Sequence, residues 1–369
     1  MGNRFPLALG CSDGNDDDDD GMHMTALSEG TAPARGPAAT EFPSAEGSLS
    51  VGGILVAEYP TGADLSVEHS PRPYLHPLRS LAGVDLTEIA PADHPHHYGV
   101  SLAVADVNGT SYWGGRTYVR DTGSTLLANH GHQQSLHRTG ASAVPTGQLV
   151  AERLLWRDQA GAVQLNETRT IRARPLPDGS GWTLTWTSLL DASGAPVRIG
   201  SPATNGRANA GYGGIFWRLP NRPGTRVLTS AGEGEALAHG SLSPWLALNQ
   251  LDGDRRVSLL LTQPAATARP WFVRATEYVG AGPMLAAESV LTIEPGATLA
   301  ISLAGVVLDR WVEDAADAER ILAAAGLAGA DAAPAQTGPA FRPEAGPALQ
   351  PENEPDFGPG AASNPGVTR

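Results

Sequence analysis

Three histidines within four positions form the densest group of chemically active side chains in this sequence. His94, His96 and His97 follow Asp93 in the segment Asp93-His94-Pro95-His96-His97. Histidine exchanges protons near neutral pH and is the commonest metal ligand in proteins. The segment allows three interpretations: a metal site with Asp93 as carboxylate ligand, a proton-transfer site in which Asp93 fixes the tautomer of one histidine, or a structural loop whose histidines bond to backbone carbonyls.

The density of the segment favours a functional interpretation over a structural one. Clustered polar groups at the end of a strand are costly unless they are used. Their spacing matches no established metal-ligand pattern, such as two histidines one helical turn apart. We therefore predict that His94, His96 and His97 are catalytic, that Asp93 orients them, and that the protein holds no resident metal or cofactor.

A second group of histidines follows at His130 and His132, close to Gln134. If a strand continues through these positions, the three side chains share one face. A solvated strand face with incidental histidines explains the group equally well. Together with His76, which lies in the proline-rich segment 72–80, His130 and His132 are predicted to bind a ligand.

Two other segments carry groups that suit a sugar ligand. The glycine-rich segment 205–214 is no phosphate loop, because no lysine follows it, but Asn205 and Arg207 are free to contact a polyhydroxy ligand. The segment 269–274 and the residues after it supply an aromatic ring, a cation and a carboxylate in Trp271, Arg274 and Glu277. We predict that Glu277 is catalytic and that the other four residues bind substrate, although Trp271 also suits a buried core.

The composition excludes several kinds of chemistry. All 25 basic residues are arginine, which rules out Schiff-base chemistry and a lysine general base. The only cysteine, Cys11, lies near the start of the chain, so the remainder has no thiol nucleophile and no disulfide. Of the net charge of −14, five negative charges fall in residues 1–40 and three in 328–369, which leaves a mildly acidic remainder without basic patches for nucleic acid.

Composition also predicts the domain organisation. Residues 1–44, with the aspartate run 16–20, and residues 328–369, rich in Ala, Pro and Gly, contain few large apolar side chains that could offset the entropy of ordering. We predict a disordered leader, a single domain at 45–327 and a disordered tail. No apolar run approaches the roughly 18 residues of a membrane span, and we expect a cytoplasmic protein without membrane contact.

Strand patterns dominate the predicted domain. Alternating or apolar runs bounded by turn residues predict strands at 49–59, 64–69, 72–80, 100–107, 148–157, 163–174, 182–191, 197–200, 211–219, 245–251, 257–262, 271–273, 289–293 and 298–308. The last two are expected to form a closing hairpin, and Asn108-Gly109 is a strong hairpin signal. One helix is predicted at 313–327, with Asp314 as its N-cap. The pattern indicates an all-β protein, a large antiparallel β-sandwich or supersandwich, of which the galactose-mutarotase-like form is one example.

Four spaced motifs carry a family resemblance. RPYLHPLRS, DHPHHYGVSLAVADVNGTSYW, GGIFWR and RPWFVR resemble the PmoA-like family of bacterial domains, which is often labelled "methane oxygenase PmoA". The resemblance covers most of residues 50–310, and Tyr98 stands where the family commonly has arginine. It implies a β-sandwich protein from sugar-catabolic contexts; the oxygenase label is not carried over, because a membrane monooxygenase subunit needs several spanning helices.

These observations lead to a carbohydrate-active enzyme as the first hypothesis. It would act on a sugar or oxidised sugar derivative by acid–base chemistry, as an epimerase or mutarotase-like enzyme, a lyase or a hydrolase. A non-catalytic carbohydrate-binding protein is the second hypothesis, and a metal-dependent oxygenase, which needs at least three ligands around one ion, is the third. The partner expected in the first two is a small-molecule carbohydrate. The first hypothesis would be supported if six residues converged in one cleft: His76, His94, His96, His97, His130 and Glu277.

Overall fold

Antiparallel strands dominate the fold, as the sequence predicts. The computed structural model describes residues 47–144 and 147–328. The predicted leader and all but the first residue of the predicted tail lie outside the described residues.

The first half of the described chain contains twelve strands. In chain order they are β1 (Leu49–Val51), β2 (Ile54–Ala57), β3 (Val100–Ala103), β4 (Asp106–Val107), β5 (Thr117–Val119), β6 (Gly123–Thr125), β7 (His132–Arg138), β8 (Ser142–Val144), β9 (Gly147–Arg157), β10 (Val163–Pro175), β11 (Gly181–Ala192) and β12 (Val197–Gly200).

The second half contains nine more strands and two α-helices. They are β13 (Gly214–Arg218), β14 (Arg226–Thr229), β15 (Gly232–Glu233), α1 (Glu235–Ala238), β16 (Trp245–Asp252), β17 (Arg255–Thr262), β18 (Trp271–Arg274), β19 (Gly280–Pro283), β20 (Leu291–Ile293), β21 (Thr298–Leu308) and α2 (Ala315–Ala324). Short 3₁₀ turns occur at Val67–His69 and Ala265–Thr267.

A ten-stranded sheet forms one layer of the sandwich. Its strand order is β15-β14-β16-β17-β21-β11-β10-β9-β7, with β8 also paired to β9. The long strands β10 and β11 form because apolar and polar residues alternate along them, so that one face can be buried while the other meets water. The predicted strands at 148–157, 163–174 and 182–191 are confirmed as the antiparallel meander β9–β10–β11.

A four-stranded sheet in the order β18-β19-β13-β3 forms the layer that carries the site. Its residues are buried on both faces, and alternation divides them between two clusters. Ile215 and Trp217 of β13 belong to the main core, whereas Phe216 between them belongs to a separate aromatic cluster. Strand β18 repeats this division, because Trp271 belongs to the core and Phe272 to the aromatic cluster. The sheet therefore has a core face and an opposite, aromatic face.

The core face packs against the large sheet. A Cβ added to Gly305 of β21 would lie 3.1 Å from the Trp217 ring, which shows how closely the two layers approach. The predicted sandwich of antiparallel sheets is thereby confirmed. A smaller sheet, in the order β20-β12-β4, and two hairpins, β1-β2 and β5-β6, complete the fold.

The C-terminal helix is confirmed with its predicted cap. The Asp314 carboxylate accepts a hydrogen bond from the Asp317 backbone nitrogen at 2.8 Å, satisfying one of the free N–H groups at the start of α2. Ala318, Ile321 and Leu322 bury the inner face of the helix. No helix among the described residues is long and apolar enough to cross a membrane.

A buried polar network lies within the large sheet. Arg169, fully inaccessible, donates to the Glu167 carboxylate at 2.7 Å and to the Tyr59 hydroxyl at 2.7 Å. Tyr59 in turn donates to Glu152 at 2.6 Å, and Arg138 pairs with the same carboxylate at 2.7 Å. Two buried carboxylates are thus matched by two arginines, which is the condition for burying such charges.

Several sequence predictions were wrong in detail. Residues 64–69 form a turn and a 3₁₀ segment rather than a strand, and the 3₁₀ segment ends at Ser70, whose left-handed φ is 52°. The predicted strand 49–59 is a hairpin, since Gly52 and Gly53 have φ of 58° and 82° and turn the chain. Strand 100–107 ends at Ala103, and its last residues join β12 in the small sheet. The closing hairpin does not form, because β20 pairs with β12 while β21 lies between β11 and β17.

One end of the four-stranded sheet organises the site. The start of β3, the end of β13, the start of β19 and the end of β18 are all adjacent there, as the pairs Val100↔Trp217, Arg218↔Gly280 and Arg274↔Gly280 show. The loops 90–99 and 275–279 therefore meet at that end, beside the aromatic face.

Candidate functional site

A cleft of about 300 Å³ lies over the aromatic face of the four-stranded sheet. We call it the histidine cleft. Of the six residues whose convergence would support the first hypothesis, the cleft brings together four, namely the three histidines of the 90–99 loop and Glu277. Its lining residues are Asp93, His94, His96, His97, Trp113, Arg116, Tyr118, Ser124, Arg207, Ala210, Tyr212, Phe272, Arg274, Glu277 and Tyr278.

Asp93 and His94 form a hydrogen-bonded pair on the wall of the cleft. The Asp93 Oδ2 and His94 Nδ1 atoms are 2.8 Å apart. Burial raises the pKa of Asp93, but the hydrogen bond from His94 and the charge of Arg218 outweigh it, so the net shift is downward. An ionised carboxylate can only accept, so Nδ1 donates and Nε2 remains available for proton exchange. The pair has the arrangement by which a carboxylate fixes the tautomer of a catalytic histidine.

Arg218 holds the carboxylate from behind. Its Nη2 atom lies 3.4 Å from Asp93 Oδ1 and 3.0 Å from Glu88 Oε2, and its guanidinium carbon lies 4.7 Å from the centre of the Tyr278 ring. The side chain is 1% exposed. A buried cation shared between two carboxylates restricts where Asp93 can point, so Arg218 is a positioning residue for the Asp93–His94 pair.

His97 forms the floor of the cleft beneath His94. The two imidazole rings are stacked, with centroids 4.6 Å apart and an interplanar angle of 19°. Trp113 and Phe216 contact His97 edge-on at 5.5 and 5.1 Å. Burial, followed by neighbouring His96 and His94, strongly lowers the pKa of His97, so the ring is neutral at pH 7.

Two buried nitrogen atoms near the pair have no protein partner among the described residues. They are Nδ1 of His97 and Nη1 of Arg218. Leaving a buried polar atom unpaired costs about 1–3 kcal/mol, and such atoms call for a water or ligand partner. His97 lines the cleft, but its unpartnered Nδ1 atom is itself buried.

His96 is held at the rim by close packing with Gly115. A Cβ at Gly115 would lie 2.7 Å from His96 Nδ1, and the φ of this glycine is 70°. Burial, followed by the positive charge of Arg72, lowers the pKa of His96 to about 3. Arg72 also donates to the His96 carbonyl at 2.9 Å. His96 is therefore a neutral donor or acceptor at pH 7.

Aromatic rings line the remainder of the cleft. Tyr212 packs against Trp113 at 4.7 Å and against Phe272 at 5.7 Å. Tyr278 contacts His94 at 4.6 Å, and burial raises its pKa to about 12, so its hydroxyl stays protonated. A sugar commonly binds where the apolar face of its ring stacks on an aromatic ring and its hydroxyl groups meet polar side chains.

Arg274 and Glu277 lie on the wall formed by the end of β18. The Nη1 atom of Arg274 donates to the Val273 carbonyl at 2.8 Å and lies 3.0 Å from His239 Nδ1. The nearest carboxylate oxygen, from Glu235, is 3.9 Å away. Glu277 is exposed and has no hydrogen-bond or ion-pair partner within the described part of the chain. Most Arg274 donors are thus used within the protein, whereas Glu277 is free to meet a ligand.

Five predicted ligand-binding residues lie outside the histidine cleft, and three of them, His76, Asn205 and Trp271, do not line the larger cavity of His130 and His132 either. His76 Nδ1 is 3.0 Å from the Thr87 hydroxyl oxygen. The Asn205 amide lies 3.3 Å from Asp106 Oδ2. Trp271 is fully buried in the core, where its indole nitrogen donates to the Ser243 carbonyl at 2.8 Å. In the structure these side chains support loops or fill the core.

His130 and His132 line a different and larger cavity, of about 830 Å³, beside β7. Its polar groups are largely used by the protein: His130 Nε2 is 2.7 Å from the Gly115 carbonyl, and the Gln133 amide bonds to the Leu102 carbonyl and to Arg169. Among the residues that the structure describes, no carboxylate lines this cavity. The histidine cleft is the better candidate site despite its smaller volume, because ionisable side chains converge there.

Tyr98, the residue after His97, lies behind the site. Its hydroxyl is 2.7 Å from His69 Nδ1, and the Arg72 guanidinium carbon lies 5.8 Å from the centre of its ring. A cation is therefore present near this position, although it comes from another segment.

Sequence reasoning did not single out several cleft residues. Trp113, Arg116, Tyr212 and Tyr278 lie within or next to the quoted motifs, but nothing in their local pattern separates a cleft residue from a core residue. Arg218, the positioning residue, ends the motif GGIFWR. Its role depends on the 90–99 loop, because Arg218 contacts Asp93 of that loop across the end of β13.

A protein-family model places the chain in a family. The model of a family of unknown function, DUF6807, matches residues 47–323. The chain belongs to DUF6807. The match spans every strand of the fold and most of α2, so all the residues of the histidine cleft fall within the DUF6807 region. No curated protein matches the chain.

Within residues 47–144 and 147–328, no three His, Cys, Asp or Glu side chains are grouped so that they could hold a metal ion.

Proposed function

We propose that this DUF6807 protein is a carbohydrate-active enzyme that transfers protons on a sugar or an oxidised sugar derivative in the histidine cleft. The observation that carries the proposal is the Asp93–His94 pair, with its 2.8 Å hydrogen bond, on the wall of a cleft lined by aromatic rings and arginines. General acid–base catalysis requires such an oriented group within reach of the substrate.

His94 acts as the primary proton carrier in this proposal. Asp93 accepts a hydrogen bond from Nδ1–H, so Nε2 is the atom that takes a proton from a substrate hydroxyl or from a carbon next to a carbonyl. Glu277, which has no protein partner among the described residues, is the second proton carrier at the same cleft. In an epimerisation or mutarotation one group removes a proton from the substrate and the other delivers one to it. Proton exchange with solvent then returns both groups to their starting protonation states.

His96 and His97 contribute as neutral hydrogen-bonding groups. Their lowered pKa values keep both rings uncharged at neutral pH. Neutral imidazoles can orient hydroxyl groups without repelling the protonated form of His94 that arises during turnover. Trp113 and Phe272 supply the apolar surface for the sugar ring.

Three further expectations from the sequence accompany this proposal. The motif resemblance to PmoA-like domains of sugar-catabolic contexts, the cytoplasmic location and the absence of a nucleic-acid partner stay predictions from the sequence. A metal-dependent oxygenase would need three gathered ligands, and the described residues supply no such set, so we do not propose it.

Proton NMR in D₂O tests the proposal. The protein is incubated with D-glucose, D-galactose, D-glucuronate, D-galacturonate and their methyl glycosides, and three rates are measured: loss of C–H signals, anomer interconversion and appearance of new products. Acceleration of one of these rates over the protein-free rate is the expected result. Binding without any acceleration would overturn the proposal in favour of a non-catalytic carbohydrate-binding protein. The absence of both binding and acceleration would overturn the carbohydrate assignment itself.

A further inference from the structure

We propose that the ligand of the histidine cleft is an anionic sugar whose carboxylate, as in a uronate or an aldonate, is held by Arg116 and Arg207 beside Tyr212. This inference rests on the proposed function, since it names the substrate class of the same site.

The two arginines border the same tyrosine. Arg207, in the loop before β13, interacts with the Tyr212 hydroxyl. Arg116, in the loop before β5, lines both the histidine cleft and a small neighbouring cavity that Tyr212 also lines. The β5-β6 hairpin, which follows Arg116, is joined to the loop of Arg207 by a hydrogen bond of 2.9 Å from Arg120 to the Thr204 carbonyl. Two exposed guanidinium groups are thus brought to one side of the cleft.

Neither guanidinium has an acidic partner. Within the described residues, no carboxylate oxygen lies within 4.0 Å of Arg116 or Arg207, whereas Arg218 pairs with Asp93 and Glu88. Arg116 donates from Nε and Nη2 to the Ser124 carbonyl, at 3.2 and 2.9 Å, which positions the group and leaves Nη1 free. Arginines that face a cleft without a partner suit a planar carboxylate, which they bind through charge-assisted hydrogen bonds.

The charge of the cleft favours a single negative charge on the ligand. Besides its arginines, the cleft contains the carboxylates of Asp93 and Glu277, which would repel a phosphate dianion more than a carboxylate. The chain has no lysine to add a further cation. A volume of about 300 Å³ suits one monosaccharide unit. A monosaccharide acid therefore fits both the size and the charge.

Isothermal titration calorimetry on the full chain tests the inference. The probes are D-galacturonate and D-glucuronate, the matched neutral sugars D-galactose and D-glucose, and D-glucose 6-phosphate. We expect at least one uronate to bind about 10-fold or more tightly than its neutral counterpart, with an affinity that falls as NaCl rises. Equal binding of acid and neutral sugar, or tighter binding of the phosphate, would overturn the inference.

Variants locate the carboxylate. Arg116→Gln and Arg207→Gln are each expected to weaken uronate binding about 10-fold, and therefore to reduce the preference for the uronate over its neutral counterpart. Arg256→Gln is the matched control, since Arg256 is exposed on β17 and pairs only loosely with Glu313 at 3.9 Å. Unchanged uronate affinity in both cleft variants would contradict the assignment, and circular dichroism melting confirms that each variant is folded.

The two proposals fail in different ways. If uronates bind through the arginines but no protons are transferred, the substrate class stands and the enzymatic function falls. If proton transfer is accelerated equally on neutral and acidic sugars, the function stands and the anionic substrate falls.

Discussion

Asp93 and His94, neighbours in the chain, hydrogen-bond to each other through Oδ2 and Nδ1 at 2.8 Å, although adjacent side chains need not meet. They do so because the loop turns between Pro91 and His97, with backbone hydrogen bonds from His94 N to the Pro91 carbonyl and from His97 N to the His94 carbonyl, each 3.0 Å long. Arg218 then holds the carboxylate from the end of β13. The pair is therefore fixed by both the loop and the sheet.

Asp93→Asn is expected to reduce the rate of proton transfer by about 10² to 10⁴-fold. The amide cannot stabilise the imidazolium and can favour the wrong tautomer of His94. Steady-state rates on the sugar that the wild type converts fastest give the measurement. Asp85→Asn, at an exposed carboxylate paired with Arg79, is the control and should keep the wild-type rate. Similar rates for the two variants would show that the pair has no catalytic role.

Gly115→Ala is expected to lower both stability and ligand affinity. The new Cβ would meet the His96 ring at 2.7 Å, and a φ of 70° adds about 1–2 kcal/mol of backbone strain. Gly179→Ala separates the two effects, because Gly179 has a φ of 72° and open space around its Cβ position. Urea unfolding should show a lower free energy of unfolding for both variants. Titration with D-galacturonate should show a weaker affinity for Gly115→Ala only. Equal behaviour of the two variants would contradict the packing account.

Stability should fall as the pH drops below about 6.5. The pKa of His96 is lowered to about 3 in the folded protein, so between pH 6.5 and 3 the unfolded chain binds a proton there that the folded protein does not. The unfolding free energy consequently rises with pH in this window. His96→Gln should flatten the slope between pH 5 and 6 by at most about 1.4 kcal/mol per pH unit. Urea titrations at several pH values measure the slopes, and coincident slopes would mean that His96 is protonated in the folded state.

Arg169→Met is expected to destabilise the fold by about 3–5 kcal/mol. The substitution leaves Glu167 and its hydrogen-bonding neighbours buried without their main cation. Arg256→Met removes an exposed, 3.9 Å ion pair and should change the unfolding free energy by about 1 kcal/mol or less. Chemical denaturation compares the two variants. A small effect at Arg169 would indicate that the buried network relaxes or admits water.

The sequence predicted individual strands better than their pairing. Strand β21 was predicted at its observed residues, because eleven mostly apolar residues follow a clear turn. The pairing of β21 with β11 and β17 was not predicted, since alternation shows which face of a strand is buried but not which strand lies beside it. The turn at 294–297 favoured a local hairpin, and non-local pairing of β20 with β12 prevailed.

The candidate site was predictable where its residues are close in sequence. Asp93, His94, His96 and His97 stand out by density, and all four line the cleft. Arg116 does not stand out, because its position against Tyr212 depends on how two distant loops pack. The second histidine group had the same residue types but lines another cavity, since the strand that follows it forms the edge of the large sheet.

The most direct test of the proposed proton transfer compares His94→Gln with His132→Gln by proton NMR in D₂O. Both substitutions remove one imidazole, but only His94 lines the cleft with Asp93, while His132 lines the cavity beside β7. The account predicts that His94→Gln loses about 10² to 10⁴-fold of the acceleration on the best substrate and that His132→Gln keeps it. Full acceleration in His94→Gln would contradict the central claim.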